Sequence, residues 1–130
     1  MSKKIVRRGI VSAVYPERHT ARVTFSDEDD LVSGELPIVT SFAFKNKLYH
    51  LPDVGEQVIC LYEQNDAGAG DGVILGSIFS EQDSPNANSQ DKVRLDFGDG
   101  SFFEFDRSTG NLNIKCTGNI TVNGKNIFLN

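Results

Sequence analysis

Val93-Arg-Leu-Asp-Phe-Gly-Asp-Gly-Ser-Phe-Phe-Glu-Phe-Asp-Arg-Ser-Thr-Gly-Asn-Leu-Asn-Ile-Lys-Cys116 decides the fold class. Val93, Leu95 and Phe97 alternate with charged side chains. Phe103 and Phe105 flank Glu104, and Leu112, Ile114 and Cys116 alternate with Asn113 and Lys115. A period of two puts one set on each face of a strand. Gly98-Asp-Gly100 and Ser108-Thr-Gly-Asn111 separate these runs with turn residues. The stretch reads as a meander of short strands. Beyond it, Gly118-Asn119 and Asn123-Gly124 set off Ile120 with Val122, and then Ile127 with Leu129, as further short arms.

Upstream, Ser80-Glu-Gln-Asp-Ser-Pro-Asn-Ala-Asn-Ser-Gln-Asp91 has no large apolar side chain and reads as a linker. Before it, five more strand-length runs precede Ser80. Ile5, Ile10, Val11, Val14 and Tyr15 mark a first long strand, and Ala21-Arg-Val-Thr-Phe25 a second. Leu36-Pro-Ile-Val-Thr-Ser-Phe42 is a third, with room for one helical turn near Phe42–Leu48. Gln57-Val-Ile-Cys-Leu-Tyr62 and Gly72-Val-Ile-Leu-Gly-Ser-Ile-Phe79 complete the set. Tyr15–Thr20, the acidic run Ser26–Asp30 and the Gly-rich Asn65–Gly72 carry turn chemistry. The fold class is all-β. Residues 1–79 form a small closed barrel, of which the five-stranded OB type is one option. Residues 80–91 are a polar linker, and residues 92–130 a second β segment.

The chain has 130 residues, a length for one domain or a small domain with an appendage. Its net charge of −5 disfavours generic coating of nucleic acid. No run of ~20 apolar residues is present to span a bilayer, and the basic start before Gly9 lacks the apolar core of a signal peptide. Cys60 and Cys116 lie far apart in apolar patterns and read as buried, inert thiols of a protein made in a reducing cytoplasm. Asp96-Phe-Gly98 has no phosphate loop or catalytic loop around it and reads as a strand end. Gly68–Gly72 has no helix after it, and Ser26–Asp30 lacks calcium-loop spacing. His19 and His50 read as turn or surface residues. Asn119-Ile-Thr121 matches a glycosylation acceptor that the cytoplasmic reading makes irrelevant. Glu104 and Asp106 share a solvated face. No catalytic residue, cofactor or metal ligand is expected.

Eleven apolar side chains of the last segment are expected on one side: Val93, Leu95, Phe97, Phe103, Phe105, Leu112, Ile114, Ile120, Val122, Ile127 and Leu129. A flat meander has one apolar face and nothing of its own to cover it. The burial these side chains offer falls well short of the entropy lost in ordering residues 92–130. Segments this short need a metal, a disulfide or partner chains, and the first two have no ligands here. Three copies around an axis satisfy the requirement, and so does a two-fold pair of sheets.

Several stretches together resemble the central spike proteins of contractile tails, the phage baseplate assembly protein V group and the related spike (VgrG) proteins of type VI secretion. They are Arg8-Gly-Ile-Val-Ser-Ala-Val14, Ala21–Phe25, Pro52-Asp-Val-Gly-Glu-Gln-Val58, Gly72–Phe79, Val93–Ser101, Thr109–Ile114 and Gly118-Asn-Ile-Thr-Val-Asn-Gly124. The resemblance covers nearly the whole chain in the same order. It implies an OB-fold collar followed by a trimeric intertwined β-helix or prism. The eleven apolar side chains would form the trimer core, and Gly55, Gly72 and Gly76 would shape the barrel turns. It further implies a homotrimer that meets baseplate hub proteins, sits on the virion or particle tail baseplate after synthesis in the bacterial cytoplasm, and touches a target membrane only while piercing it. Longer members end in a His-x-His metal tip. The chain ends at Asn130 without one, so a blunt spike or a separate tip protein is expected. The space between barrel and prism, where some members hold a lysozyme domain, is only Ser80–Asp91. The competing reading is an OB-fold module binding an oligonucleotide or oligosaccharide, with Phe44, Tyr49 and Tyr62 as ring platforms. No nucleophile–base pair points to a hydrolase.

Overall fold

The computed structural model describes residues 5–62 and 72–130. Most of the expected Asn65–Gly72 loop, and Lys3 and Lys4 of the basic start, lie outside the described residues. The chain divides into two compact units, Met1–Asp83 and Ser84–Asn130. Both are antiparallel β structures. Among the described residues, the only helical element is a 3-10 turn at Ser26–Glu28, and no helix is long and apolar enough to cross a membrane.

The first unit holds β1 (Val6–Tyr15), β2 (Thr20–Phe25), β3 (Leu31–Val32), β4 (Leu36–Pro37), β5 (Gln57–Tyr62) and β6 (Gly72–Ser77). β1 lies between β2 and β5, and β5 pairs β6. β2 also pairs β4, through Thr20↔Pro37 and Ala21↔Leu36. Just past β4, Ile38 bridges Ile74 of β6 in parallel, and Val39 N–H donates to the Ile74 carbonyl at 2.9 Å. The hydrogen-bonded path thus runs β2–β1–β5–β6 and returns through Ile38 and β4 to β2. Val11, Ala21, Val23, Phe25, Leu36, Ile38, Val58, Cys60, Tyr62 and Ile74 fill its interior, with Val14 and Leu51 packed at the margin.

The alternation of β1 changes phase once. Val11 pairs Val23 and Ala13 pairs Arg22, so Ser12 is an extra residue in a bulge. A bulge moves the inward set by one position, which is why Gly9 and Val11 face inward and the next core contact comes from Val14. A second shift occurs in β6, where Ile59 pairs Gly76 and Cys60 pairs Ile74, leaving Leu75 extra.

Two expectations change here. The third strand, read over Leu36–Phe42, is regular only at Leu36–Pro37. Pro37 has no N–H to extend the ladder, and the chain then crosses to β6. The helical turn considered near Phe42–Leu48 is a small hairpin, with Ala43 bridging Lys47 and Leu48 N–H donating to the Phe42 carbonyl at 3.1 Å.

The turn quoted as Pro52–Glu56 docks on the β1 bulge. Glu56 N–H donates to the Asp53 carbonyl at 3.1 Å, and Gly55 sits at φ +97°, a position that favours glycine. Gly55 N–H donates to the Val11 carbonyl at 2.8 Å, and Val11 N–H to the Glu56 carbonyl at 3.0 Å. Asp53 N–H donates to Glu56 Oε1 at 3.0 Å, and the Ser77 hydroxyl donates to Oε2 of the same carboxylate.

Gly72 opens β6, and a Cβ there would stand 2.7 Å from the Leu61 carbonyl oxygen and 2.8 Å from a Tyr62 ring carbon. Gly76 lies inside β6 with open space beside it. Of the three glycines assigned to turns, the structure has Gly55 in a turn and the other two in a strand. Gly9 is the tightest site. A Cβ there would meet Val23 Cγ1 at 2.3 Å, the Thr24 carbonyl oxygen at 2.7 Å and Phe25 Cδ1 at 2.9 Å.

The second unit is the meander β7 (Lys92–Asp96), β8 (Phe102–Asp106) and β9 (Asn111–Lys115), paired in that order. Residues 116–130 form no strand within the chain. The further arms expected around Ile120–Val122 and Ile127–Leu129 are not paired with the meander.

Candidate assembly surface

The register of the meander sorts its side chains into two faces. Val93 stands opposite Phe105, which stands opposite Leu112. Leu95 stands opposite Phe103, which stands opposite Ile114. These rows put six apolar side chains on one face, where cross-strand neighbours touch. All six are exposed, and so are Phe97, Ile120, Val122, Ile127 and Leu129. Each of the eleven side chains assigned to a shared core is therefore uncovered in the single chain.

The opposite face is polar and self-satisfied. Arg94 Nη1 donates to Glu104 Oε1 at 2.9 Å, and Arg94 Nε to Asp96 Oδ1 at 2.8 Å. The guanidinium of Arg94 also lies 4.0 Å from the centre of the Phe102 ring. Lys92 Nζ approaches Glu104 Oε1 at 3.9 Å. Under these cations the Glu104 side chain is only 9% exposed. The sequence reading placed Glu104 in solvent; the structure buries it, because two long cationic side chains from β7 fold over it.

Each turn of the meander is clamped by an aspartate. Asp99 Oδ1 accepts from Ser101 N–H at 2.9 Å, and Thr117 Oγ1 donates to Asp99 Oδ2 at 2.7 Å. These donors hold the Asp99 carboxyl down to about 2. Asp106 Oδ1 accepts from the Ser108 hydroxyl at 2.6 Å and from Ser108 N–H at 2.9 Å, which lowers its pKa as well. Arg107 Nε donates to Asp91 Oδ1 at 2.6 Å, fixing the strand that enters β7.

Thr117 N–H donates to Ser101 Oγ at 3.2 Å, and this is the last tie of the chain to the meander. Among the described residues, those from Gly118 to Asn130 make no hydrogen bond within the chain. Backbone N–H and C=O groups are obligatory hydrogen-bonding partners. A segment with alternating apolar residues and no internal pairs takes those partners from water or from another chain. Leu129 is 91% exposed.

The remaining candidates have structural roles. His19 holds φ +55° in the β1–β2 turn, its ring is 5.3 Å from that of Tyr49, and its Nε2–H donates to the His50 carbonyl at 3.0 Å. Arg18 forks onto Glu35 at 2.7 and 3.2 Å, and Thr20 Oγ1 adds a bond to the same carboxylate at 2.6 Å, lowering the Glu35 pKa. Asp96-Phe97-Gly98 is the end of β7 and a turn. Cys60 is buried, and burial pushes its thiol up to about 11. Cys116 is exposed, which corrects the reading of two buried thiols. Among the described residues no group of three His, Cys, Asp or Glu side chains is placed to hold a metal ion.

Sequence reasoning missed Ser33. It is fully buried, accepts from Val23 N–H at 2.9 Å through its Oγ, and donates to the Gly34 carbonyl at 2.6 Å. Its hydroxyl replaces a backbone partner where the chain passes from β3 to β4. The signal available was a small hydroxyl residue beside a glycine between two β-prone runs. Compared with known proteins, the chain matches no family model and no curated protein.

Proposed function

We propose that the chain is the structural central spike protein of a contractile injection machine, a phage tail baseplate or a phage-derived particle. It would act as a homotrimer at the end of the tube, attach to the hub and pierce the target cell envelope. One observation supports this reading: a well-formed meander bares a complete apolar face and runs into a stretch that has no hydrogen-bond partner among the described residues of its own chain. Identical copies supply both missing partners at once. Three meanders turned inward would enclose Val93, Leu95, Phe103, Phe105, Leu112 and Ile114. The stretch from Gly118 would complete ladders on neighbouring copies as an intertwined β-helix or prism. Such a spike needs no turnover. It bears load because many backbone hydrogen bonds must break together.

The first unit fits the OB-type collar of this reading. The ring of pairings through β1, β2, β4, β6 and β5, with one parallel contact at Ile38 and Ile74, supports a small five-stranded barrel. Hub proteins and a separate tip protein are the partners proposed; nucleic acid is not.

The test is the native mass of the full-length protein. Three chains are expected at micromolar concentration. A single chain whose tail amides are protected from hydrogen exchange would refute the reading. The competing module that binds oligonucleotide or oligosaccharide draws on exposed Phe44 and Tyr49 beside Lys45 and Lys47, whereas Tyr62, the third ring expected as a platform, is only 6% exposed and belongs to the core of the first unit. Tight single-strand binding in a gel shift at moderate salt would favour it.

A further inference from the structure

Residues 40–50 are an ordered projection whose apolar side chains point away from its own core. Thr40 Oγ1 donates to the Leu48 carbonyl at 2.7 Å, and Phe44 N–H to the Asn46 carbonyl at 3.2 Å. With the Ala43–Lys47 bridge, these bonds define a tight hairpin. His19 anchors its base through His50 and Tyr49. Yet every residue from Ser41 to His50 is exposed, and Phe44 at the tip is 81% exposed. Ordering a hairpin costs conformational entropy, and this one recovers little of it through Phe44 and only part through Phe42, which is 56% exposed. The charge is equally one-sided. Between Glu35 and Asp53 the only charged side chains are Lys45 and Lys47, in a chain of net charge −5.

The same unit carries the opposite combination. Asp27 to Asp30 are four consecutive acidic residues, followed by exposed Leu31 and Val32. Asp29 and Asp30 are held at φ +54° and +57°, two successive left-handed residues without a glycine. Such a conformation is costly and is kept where a segment must present its side chains in one arrangement. Among the described residues, Lys45, Lys47, Asp29 and Asp30 form no ion pair.

We propose that the hairpin around Phe44 seats on the Asp29–Val32 turn of a second copy of this chain. Phe42 and Phe44 pack on Leu31 and Val32, and Lys45 and Lys47 face Asp29 and Asp30. Two different patches make the contact head-to-tail, and such contacts form a ring when the rotation between copies closes, as a three-fold arrangement does. In the homotrimer three of them lock the collars to one another. The inference rests on that trimeric reading, and opposite charges set the register and direction of the ring.

The test uses the full chain. With Cys116→Ser to remove the exposed thiol, Phe44→Cys and Leu31→Cys are introduced together and joined by a short bis-maleimide. Covalent dimers and trimers are expected. In parallel, Lys45→Glu/Lys47→Glu and Asp29→Lys/Asp30→Lys are each expected to weaken the trimer by about ten-fold, and their combination to restore it to within about three-fold. Recovery in the combined variant excludes misfolding as the cause. Linkage confined to single chains, or charge variants as trimeric as the parent, would overturn the contact while leaving the trimer standing. A parent protein that is itself monomeric would remove the trimeric reading and this contact with it.

Discussion

Ile114→Asp separates the shared-core reading from every reading in which the meander works alone. Ile114 ends the row Leu95–Phe103–Ile114 and is 52% exposed in the single chain. Full burial of an isoleucine is worth about 1.5–3 kcal/mol, so covering its open half contributes about 1 kcal/mol per chain. Three copies contribute about 3 kcal/mol. The aspartate does more than forfeit this. Each ionised carboxylate carried into a dry interface costs several kcal/mol, and three close together repel. The sum reaches about 10 kcal/mol, comparable with the whole stability of a small domain. Trimers should vanish from native mass spectra and from light scattering at every workable concentration. β1 to β6 should keep their circular dichroism, since Ile114 belongs to the other unit. Lys115→Ser is the control. Lys115 is the next residue of the same strand, pairs Phe102 and lies on the opposite face, so its loss should leave assembly unchanged. SDS-resistant trimers in Ile114→Asp, or equal disruption by both variants, would refute the face assignment.

Gly9→Ala should destabilise the first unit by about 3 kcal/mol, because the new methyl meets a backbone oxygen that cannot move aside; urea denaturation followed by tyrosine fluorescence reads it. Ser33→Ala should cost about 2 kcal/mol in the same assay by leaving the buried Val23 N–H without its acceptor. Asp99 has a folded pKa of about 2, below its usual value of 3.8. The stability it contributes is therefore complete above about pH 4 and is lost as pH falls through about 2. If the chain assembles as proposed, acid titration followed by native mass spectrometry should show loss of trimers in that window, and Asp99→Asn should flatten it. Cys60 should resist alkylation at pH 8 until denaturant unfolds the first unit, since burial holds its thiol up to about 11; thiol titration with and without urea checks this.

The meander was legible because its cause is local. Alternation at Val93–Phe97, Phe103–Phe105 and Leu112–Ile114 assigns faces whatever the strands meet, and the turns at Asp99 and Asp106 close through bonds spanning two residues. The candidate surface follows from the same parity. What escaped the reading came from contacts between distant segments. Glu104 looked solvated because only pairing with β7 brings Arg94 over it. Gly9 was not singled out because its neighbours Val23 and Phe25 arrive from the next strand. Ser33 drew no notice because its partner is the Val23 amide of another strand.

The amino-acid order by itself therefore determined an all-β chain, a polar break before residue 92, and a last segment whose apolar side chains outnumber the places it has to hide them. These are properties of side-chain period and composition, which act over a few residues. The tertiary structure alone decided that Ser12 shifts the phase of β1, that Ile38 meets Ile74 and returns the strand path to β2, and that the stretch from Gly118 finds no hydrogen-bond partner among the described residues of its own chain. Those outcomes depend on which remote strands share an edge, and hydrogen-bond geometry between them leaves no periodic trace in either strand alone.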